Sequence, residues 1–263
     1  RYKKGGRLVP ATWEEAVKFA SERLKGVIDA SGGGSVGVVG SPRLTNESNW
    51  ALLKFAREVL GTDKYTAAEA FSLVPFFENL SAPLATHRDI RHAKTIILIG
   101  GEPEELQPLT GKQIRQAVRN GAANLIIVNS RRIRLVEQAL QFVHIRPGSE
   151  DAFVLALGDN ASDGSTADKL GINSADLQTL RQTISDTQGD LVIMFGSELS
   201  AAGQTVVAQL PYTLRADARR VLLHPLPLYN NSFGVHDMGL MSGPQTVPQM
   251  LDAAGDSIRA MYI

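Results

Sequence analysis

Short apolar runs of strand length recur along this chain, each followed by a stretch with helical spacing. That alternation constrains the fold more than any single motif. The runs are Val36–Gly40, Lys94–Ile99, Asn124–Val128, Asp190–Phe195 and Arg220–His224. Each is too short for a buried helix and apolar through its interior, not merely at every second residue. Strands of that kind are buried on both sides, as in a parallel sheet covered by helices. Parallel neighbours cannot be joined by a tight hairpin, so the helical stretches between them serve as crossovers. The sequence predicts an α/β fold of Rossmann-like parallel sheets with helices on both faces.

Local signals place the helices. Thr12 and Glu15 have the spacing of a capping box, and Ala16, Phe19, Ala20, Leu24 and Val27 follow at helical intervals. The break Ser31–Ser35 ends that helix. Thr45 or Asn46 caps a second one, running through Trp50, Leu53, Phe55, Val59 and Leu60 to a stop at Gly61. Asp63–Pro83 lacks periodicity and reads as a connection with at most one helical turn, its Phe71, Phe76 and Phe77 packed on the core. Thr86 caps a short helix, and a longer one spans Pro108–Asn120 and ends at Gly121. Ile145–Leu157 reads as a short strand, a Pro-Gly corner and a helix; Gly158–Ser174 reads as a polar surface loop. Further helices are predicted at Ala175–Thr187, Ser200–Gln209 and Val247–Ala254, and a last strand at Ile258–Ile263. The expected division is a first α/β part over residues 1–85 and a Rossmann-like domain over residues 86–263, continuing past the C-terminus.

Composition narrows the function classes. Hydrophobic residues make up 43%, which excludes wholesale disorder. Lys plus Arg and Asp plus Glu number 27 each, so the basic excess of a nucleic-acid binder is missing. No apolar run approaches the ~20 residues that span a bilayer, so no direct membrane insertion is expected. The start, RYKKGGRLVP, lacks the apolar core of a signal peptide and begins without Met, which predicts a portion of a longer protein. With no cysteine at all, this chain offers no thiolate to an iron–sulfur cluster or to molybdenum.

The candidate sites each have a plain structural reading, and that reading is preferred. Gly100-Gly101 after an apolar strand would let backbone approach a phosphate, but Glu102, Glu104 and Glu105 oppose a pyrophosphate, and a tight turn suffices. Asn129, Arg131 and Arg132 stand where a dinucleotide enzyme reads ribose or phosphate; with Arg134 they equally form a solvated or docking loop. Arg146-Pro147-Gly148 is a corner with a geometric task. The five histidines, His87, His92, His144, His224 and His236, lack metal-ligand spacing. Asn230, Asn231, Gly234 and Gly239 form a loop beyond a strand, where Phe233, Met238 and Met241 would plug a cleft. Asp237 alone makes no metal site. No catalytic, cofactor-binding or metal residue is assigned.

Five segments carry a resemblance: GRLVPATWEEAV (Gly6–Val17), GGEPEELQP (Gly100–Pro108), VNSRR (Val128–Arg132), HIRPGSEDA (His144–Ala152) and NNSFGVHDMG (Asn230–Gly239). In this order they resemble the molybdopterin oxidoreductase fold. That fold is shared by formate dehydrogenases and the large iron–sulfur subunit of bacterial NADH-quinone oxidoreductase (respiratory complex I). The resemblance to the complex I subunit implies a structural and subunit-contact domain whose own molybdopterin site is lost. It also implies iron–sulfur clusters in an absent N-terminal part and none in this segment. The implied partners are other peripheral-arm subunits, and the implied location is the cytoplasmic side of the bacterial inner membrane. Electrons pass from NADH to quinone through the whole complex, not through this segment. The alternative is a fragment of a formate dehydrogenase-like enzyme, its pterin held by backbone and polar side chains. A third reading is a small-molecule sensor on the same frame.

Overall fold

The computed structural model describes residues 2–4, 7–69, 71–158, 164–217 and 219–263. By its contacts the chain forms two compact units, residues 1–70 with 229–263 and residues 71–228. The expected division at 85/86 therefore falls elsewhere, and the last 35 residues return to the first unit. A contiguous reading of the chain has no local signal for such a return.

The first unit opens with an antiparallel hairpin, β1 (Tyr2–Lys4) and β2 (Arg7–Val9). Helix α1 (Trp13–Ser31) follows, and its capping box is complete. The Glu15 N–H donates to Thr12 Oγ1 at 3.2 Å, and Glu15 Oε2 accepts the Thr12 N–H at 2.9 Å. No residue of α1 is fully buried; Leu24, Val27 and Ile28 pack partly on the core, whereas Phe19, expected inside, is exposed. Strand β3 (Val36–Gly40) is buried throughout. Thr45 caps α2 (Asn46–Lys54), which continues as a wider π turn over Phe55–Leu60 and ends on left-handed Gly61. Strand β4 (Tyr65–Ala67) pairs parallel with β3, inside a stretch predicted to be a connection. Three residues are too few to show a period.

The second unit runs α3 (Val74–Glu78), α4 (His87–His92), β5 (Thr95–Ile99), α5 (Pro103–Leu106), α6 (Pro108–Gly121) and β6 (Asn124–Asn129). It continues β7 (Gln141–His144), α7 (Glu150–Gly158), α8 (Gly164–Leu170), α9 (Ser174–Ser185), β8 (Leu191–Phe195), α10 (Ala201–Leu214) and β9 (Val221–Pro225). The sheet order is β7-β6-β5-β8-β9, parallel throughout. Ile96, Leu98, Leu125, Ile127, Val192 and Met194 face Ile90 of α4 and Ile114 and Ala117 of α6. Strand alternation sends Ile97, Ile99, Ile126, Ile193 and Phe195 to the opposite face. There the Phe76 ring lies 5.0 Å from that of Phe195 and Phe71 packs edge-on at 6.4 Å, so the aromatic cluster sits on the core. The β9 edge is covered by a parallel bridge from Leu84 to Leu223.

Several boundaries differ from expectation for physical reasons. Thr86 caps α4 as predicted, and its hydroxyl and N–H hold the Asp89 carboxyl below its usual range. Ala122, not Gly121, takes the left-handed position ending α6. The short strand precedes Ile145, because the Pro-Gly corner consumes the residues after it. Helix α8, with Ala167 and Leu170 buried, lies in the segment read as a polar loop; residues 159–163 of that segment are outside the described residues. Helix α10 continues through Pro211, where a stop was predicted.

Returning to the first unit, the chain forms α11 (Ser232–Asp237), α12 (Val247–Asp252) and β10 (Ala260–Tyr262). Strand β10 pairs parallel with β3, giving the order β10-β3-β4. Val36, Val38, Leu53, Leu60, Val235 and Leu240 form the shared core.

Candidate functional site

In the five-stranded sheet the chain moves outward from β5 through β6 to β7, then returns to β8 on the other side of β5. Connections leaving β5 and β8 thus diverge, and a crevice opens beyond their carboxyl ends, the place where open α/β sheets take ligands. A cavity of about 260 Å³ lies there, lined by Gly101, Glu102, Gln107, Arg131, Gly196, Glu198, Leu226 and neighbours.

Glycines shape its floor. Gly100 and Gly101 have φ of 63° and 70°, values an L side chain rarely adopts. The Gly100 N–H donates to Val128 O at 2.8 Å and the Gly196 N–H to Ile99 O at 2.9 Å, extending the ladder past the strand ends. A Cβ at Gly196 would lie 2.5 Å from the Gly101 nitrogen, so the two turns touch through bare backbone.

Polar side chains fasten these turns. Asn129, 3% exposed at the end of β6, donates from Nδ2 to Gly101 O at 3.1 Å and accepts the Arg131 N–H on Oδ1 at 3.0 Å. Arg131 bridges to Glu102 at 2.6 Å. Glu198 Oε2 accepts the Gly101 N–H at 3.0 Å. Of the acidic trio expected to repel a phosphate, Glu102 is thus paired with Arg131 and Glu104 with Arg115, while Glu105 stays exposed. Nearby, burial pushes the Glu150 carboxyl up, reinforced by the Glu198 and Asp151 charges against backbone N–H donors. Asp151 accepts the N–H of Ser200, the α10 cap, at 3.0 Å and bonds its hydroxyl as well.

Gly100-Gly101 and Asn129-Arg131, two separate candidates in the sequence, therefore meet in one cleft. Arg132 and Arg134 are exposed. Arg146 to Ser149 closes a turn with Pro147 in its second place and Gly148 at φ 78° in its third, the geometric task assigned to it. His92 and His144 bond nearby carbonyls of Arg88 and Ser130. His87 contacts Thr110, and its ring lies 6.4 Å from that of His224, whose pKa is lowered by burial. Within the first unit, Asn231 donates to Leu44 O and Asn46 Oδ1, and Gly234 sits against both asparagine side chains. Phe233, Met238 and Met241 are partly buried, and the expected loop contains α11. Asp237 is exposed, 3.6 Å from His236. Among the described residues no three His, Asp or Glu side chains gather as a metal set.

Gly196 and Glu198 escaped the sequence reading. Their one signal was a glycine directly after the apolar run Leu191–Phe195, the same punctuation that marked Gly100 after β5.

Residues 1–226 match the molybdopterin oxidoreductase family. The chain is 23% identical over 302 residues to "Putative formate dehydrogenase YrhE" of Bacillus subtilis (strain 168), covering 99% of this chain and 30% of that protein. It is 27% identical over 181 residues to formate dehydrogenase H of Escherichia coli (strain K12), covering 66% of this chain and 25% of that one. It thus spans less than a third of these curated relatives. Among solved structures, the formyltransferase/hydrolase complex of Methylorubrum extorquens matches with a TM-score of 0.63 at 16% identity, over 90% of this chain and 63% of that chain. Acetylene hydratase from Pelobacter acetylenicus matches with a TM-score of 0.58 at 16% identity, over 77% and 32%. At that identity the likeness is one of fold.

Proposed function

The chain belongs to the molybdopterin oxidoreductase family, and from that membership we propose that it is part of a formate dehydrogenase-like redox protein, its switch-point cleft holding the nucleotide end of a pterin dinucleotide. The observation that carries this reading is the convergence of Gly101, Gly196, Asn129 and Arg131 on one crevice at the carboxyl ends of β5 and β8. Bare backbone at the two glycines admits a ligand closely. Asn129 fixes the turn, and Arg131, two residues beyond β6, stands where dinucleotide enzymes read a ribose or phosphate.

These residues fit the nucleotide end of the group. For the metal end the chain has no cysteine, so a thiolate ligand is not among its contributions. When bound, the pterin-held molybdenum would supply the two-electron chemistry that takes formate to carbon dioxide, two electrons and a proton. The residues of this chain bind and orient.

The assignment to respiratory complex I yields to its alternative here. The curated relatives carry formate dehydrogenase names, and they favour that class over a subunit of NADH-quinone oxidoreductase. No helix among the described residues is long and apolar enough to cross a membrane. The reading is tested by molybdenum content and formate-dependent dye reduction of the protein purified from its native host. Stoichiometric molybdenum with formate-dependent turnover is the expected result. Metal-free protein that co-purifies with complex I subunits would return the assignment to the respiratory complex.

A further inference from the structure

We infer that Glu198 is a built-in anion that occupies the Gly101 N–H of the switch-point cleft, and that an anionic ligand group enters by taking its place. The inference rests on the nucleotide-binding reading of that cleft and adds how access to it is controlled.

Glu198 lies three residues beyond β8, yet its carboxylate sits on the turn that follows β5. Oε2 accepts the Gly101 N–H at 3.0 Å. A Cβ built on Gly100 would come within 2.6 Å of the same oxygen, and one on Gly196 closer still. The carboxylate therefore lies against the bare backbone of all three glycines. The Gly100 and Gly196 N–H groups are spent on Val128 O and Ile99 O, so the donor this turn offers to an anion is the Gly101 N–H. Here the protein's own anion takes it.

The surroundings explain why this occupant can be displaced. Among the described residues that line the cleft, Arg131 is the one cation, and Glu102 engages it. Glu198 is itself exposed, so its side chain can turn outward into water at the cost of the Gly101 bond. The carboxylates around it are Glu150 from α7 and, across the cleft, Glu102 and Glu105; Asp151, whose charge also acts on Glu150, is engaged with Ser200. Glu150 is buried beside Glu198 and would gain from its departure. A phosphate cannot share the Gly101 N–H with an ionised Glu198 at contact distance, so one must leave. The competing role is a purely structural latch between the β5 and β8 turns. A latch predicts lost stability on removal and no gain in anion affinity.

The test is calorimetric titration of GDP, ADP and inorganic pyrophosphate into the wild-type protein, Glu198→Gln and Glu198→Ala, with Glu105→Gln as a carboxylate control at the rim. Thermal melts establish that each variant is folded. At least one of the three probes is expected to bind Glu198→Ala about tenfold or more tightly than wild type, with Glu198→Gln between them and Glu105→Gln within about twofold of wild type. Equal or weaker binding by both Glu198 variants, with measurable binding by wild type, overturns the gate and leaves the nucleotide reading standing. Absence of binding in all four proteins overturns both.

Discussion

Replacing Asn129 by alanine tests whether the cleft is held by the clasp described above. The side chain is 3% exposed and makes two bonds, to Gly101 O at 3.1 Å and from the Arg131 N–H at 3.0 Å. Each such bond is worth about 1 kcal/mol net, which gives roughly 2 kcal/mol for the pair. If water cannot reach the two backbone groups left behind, their desolvation raises the loss to about 3 kcal/mol. Against the ~5–15 kcal/mol typical of a domain, that is easily measured. Urea unfolding followed by circular dichroism should show a lower midpoint with an unchanged slope. Asn129→Asp separates the two bonds. It keeps the acceptor for Arg131 but sets a carboxylate against the Gly101 carbonyl, so it should be no better than alanine. A loss below about 0.5 kcal/mol in Asn129→Ala would refute the clasp, since that is the range of an indifferent surface change.

Three further outcomes follow from the same geometry. Phe76→Ala removes a fully buried ring packed edge-on against Phe77 and at a tilt against Phe195, and calorimetry should register a loss of about 3–5 kcal/mol. Gly101→Ala must hold φ at 70° and place a Cβ 2.8 Å from Leu226 Cδ1, so it should cost about 1–2 kcal/mol or more, whereas Gly34→Ala, with open space around it, should be nearly neutral. Glu150 has a folded pKa raised by burial, so the native state keeps a proton that the unfolded chain has released. Stability attributable to it therefore falls as pH rises from the ordinary carboxylate range through the raised value, then levels off. Glu150→Gln should thus gain on wild type near neutral pH and match it in acid, measured as urea midpoints across pH; a difference that grows toward acid would contradict the assignment.

How much of this was legible depended on whether the governing contact was local. Thr12 with Glu15 formed the capping box its spacing predicts, and Thr86 caps its short helix as expected, with Asp89 three residues on as the partner the structure adds. The apolar runs became β3, β5, β6, β8 and β9, because continuous burial leaves a mark in every residue. Strand order leaves none. Nothing local says that β8 lies beside β5, and so nothing drew attention to Glu198, which bonds an amide 97 residues away. Asn129 was noticed for its position after a strand, but its role as the link between two turns needed the β5–β6 pairing. The return of β10 to β3 is a contact of the same kind, and it moved the division of the chain away from residue 85. Family resemblance supplied the fold; the motifs did not separate the complex I subunit from the formate dehydrogenases that share it.

The most direct test of the central claim is mass spectrometry of the small molecules released when the natively purified protein is denatured. A pterin-derived product and a nucleotide, both in amounts comparable to the protein, are the predicted result. Protein that releases neither, and that shows no affinity for a nucleoside diphosphate at the β5–β8 crevice, would contradict it.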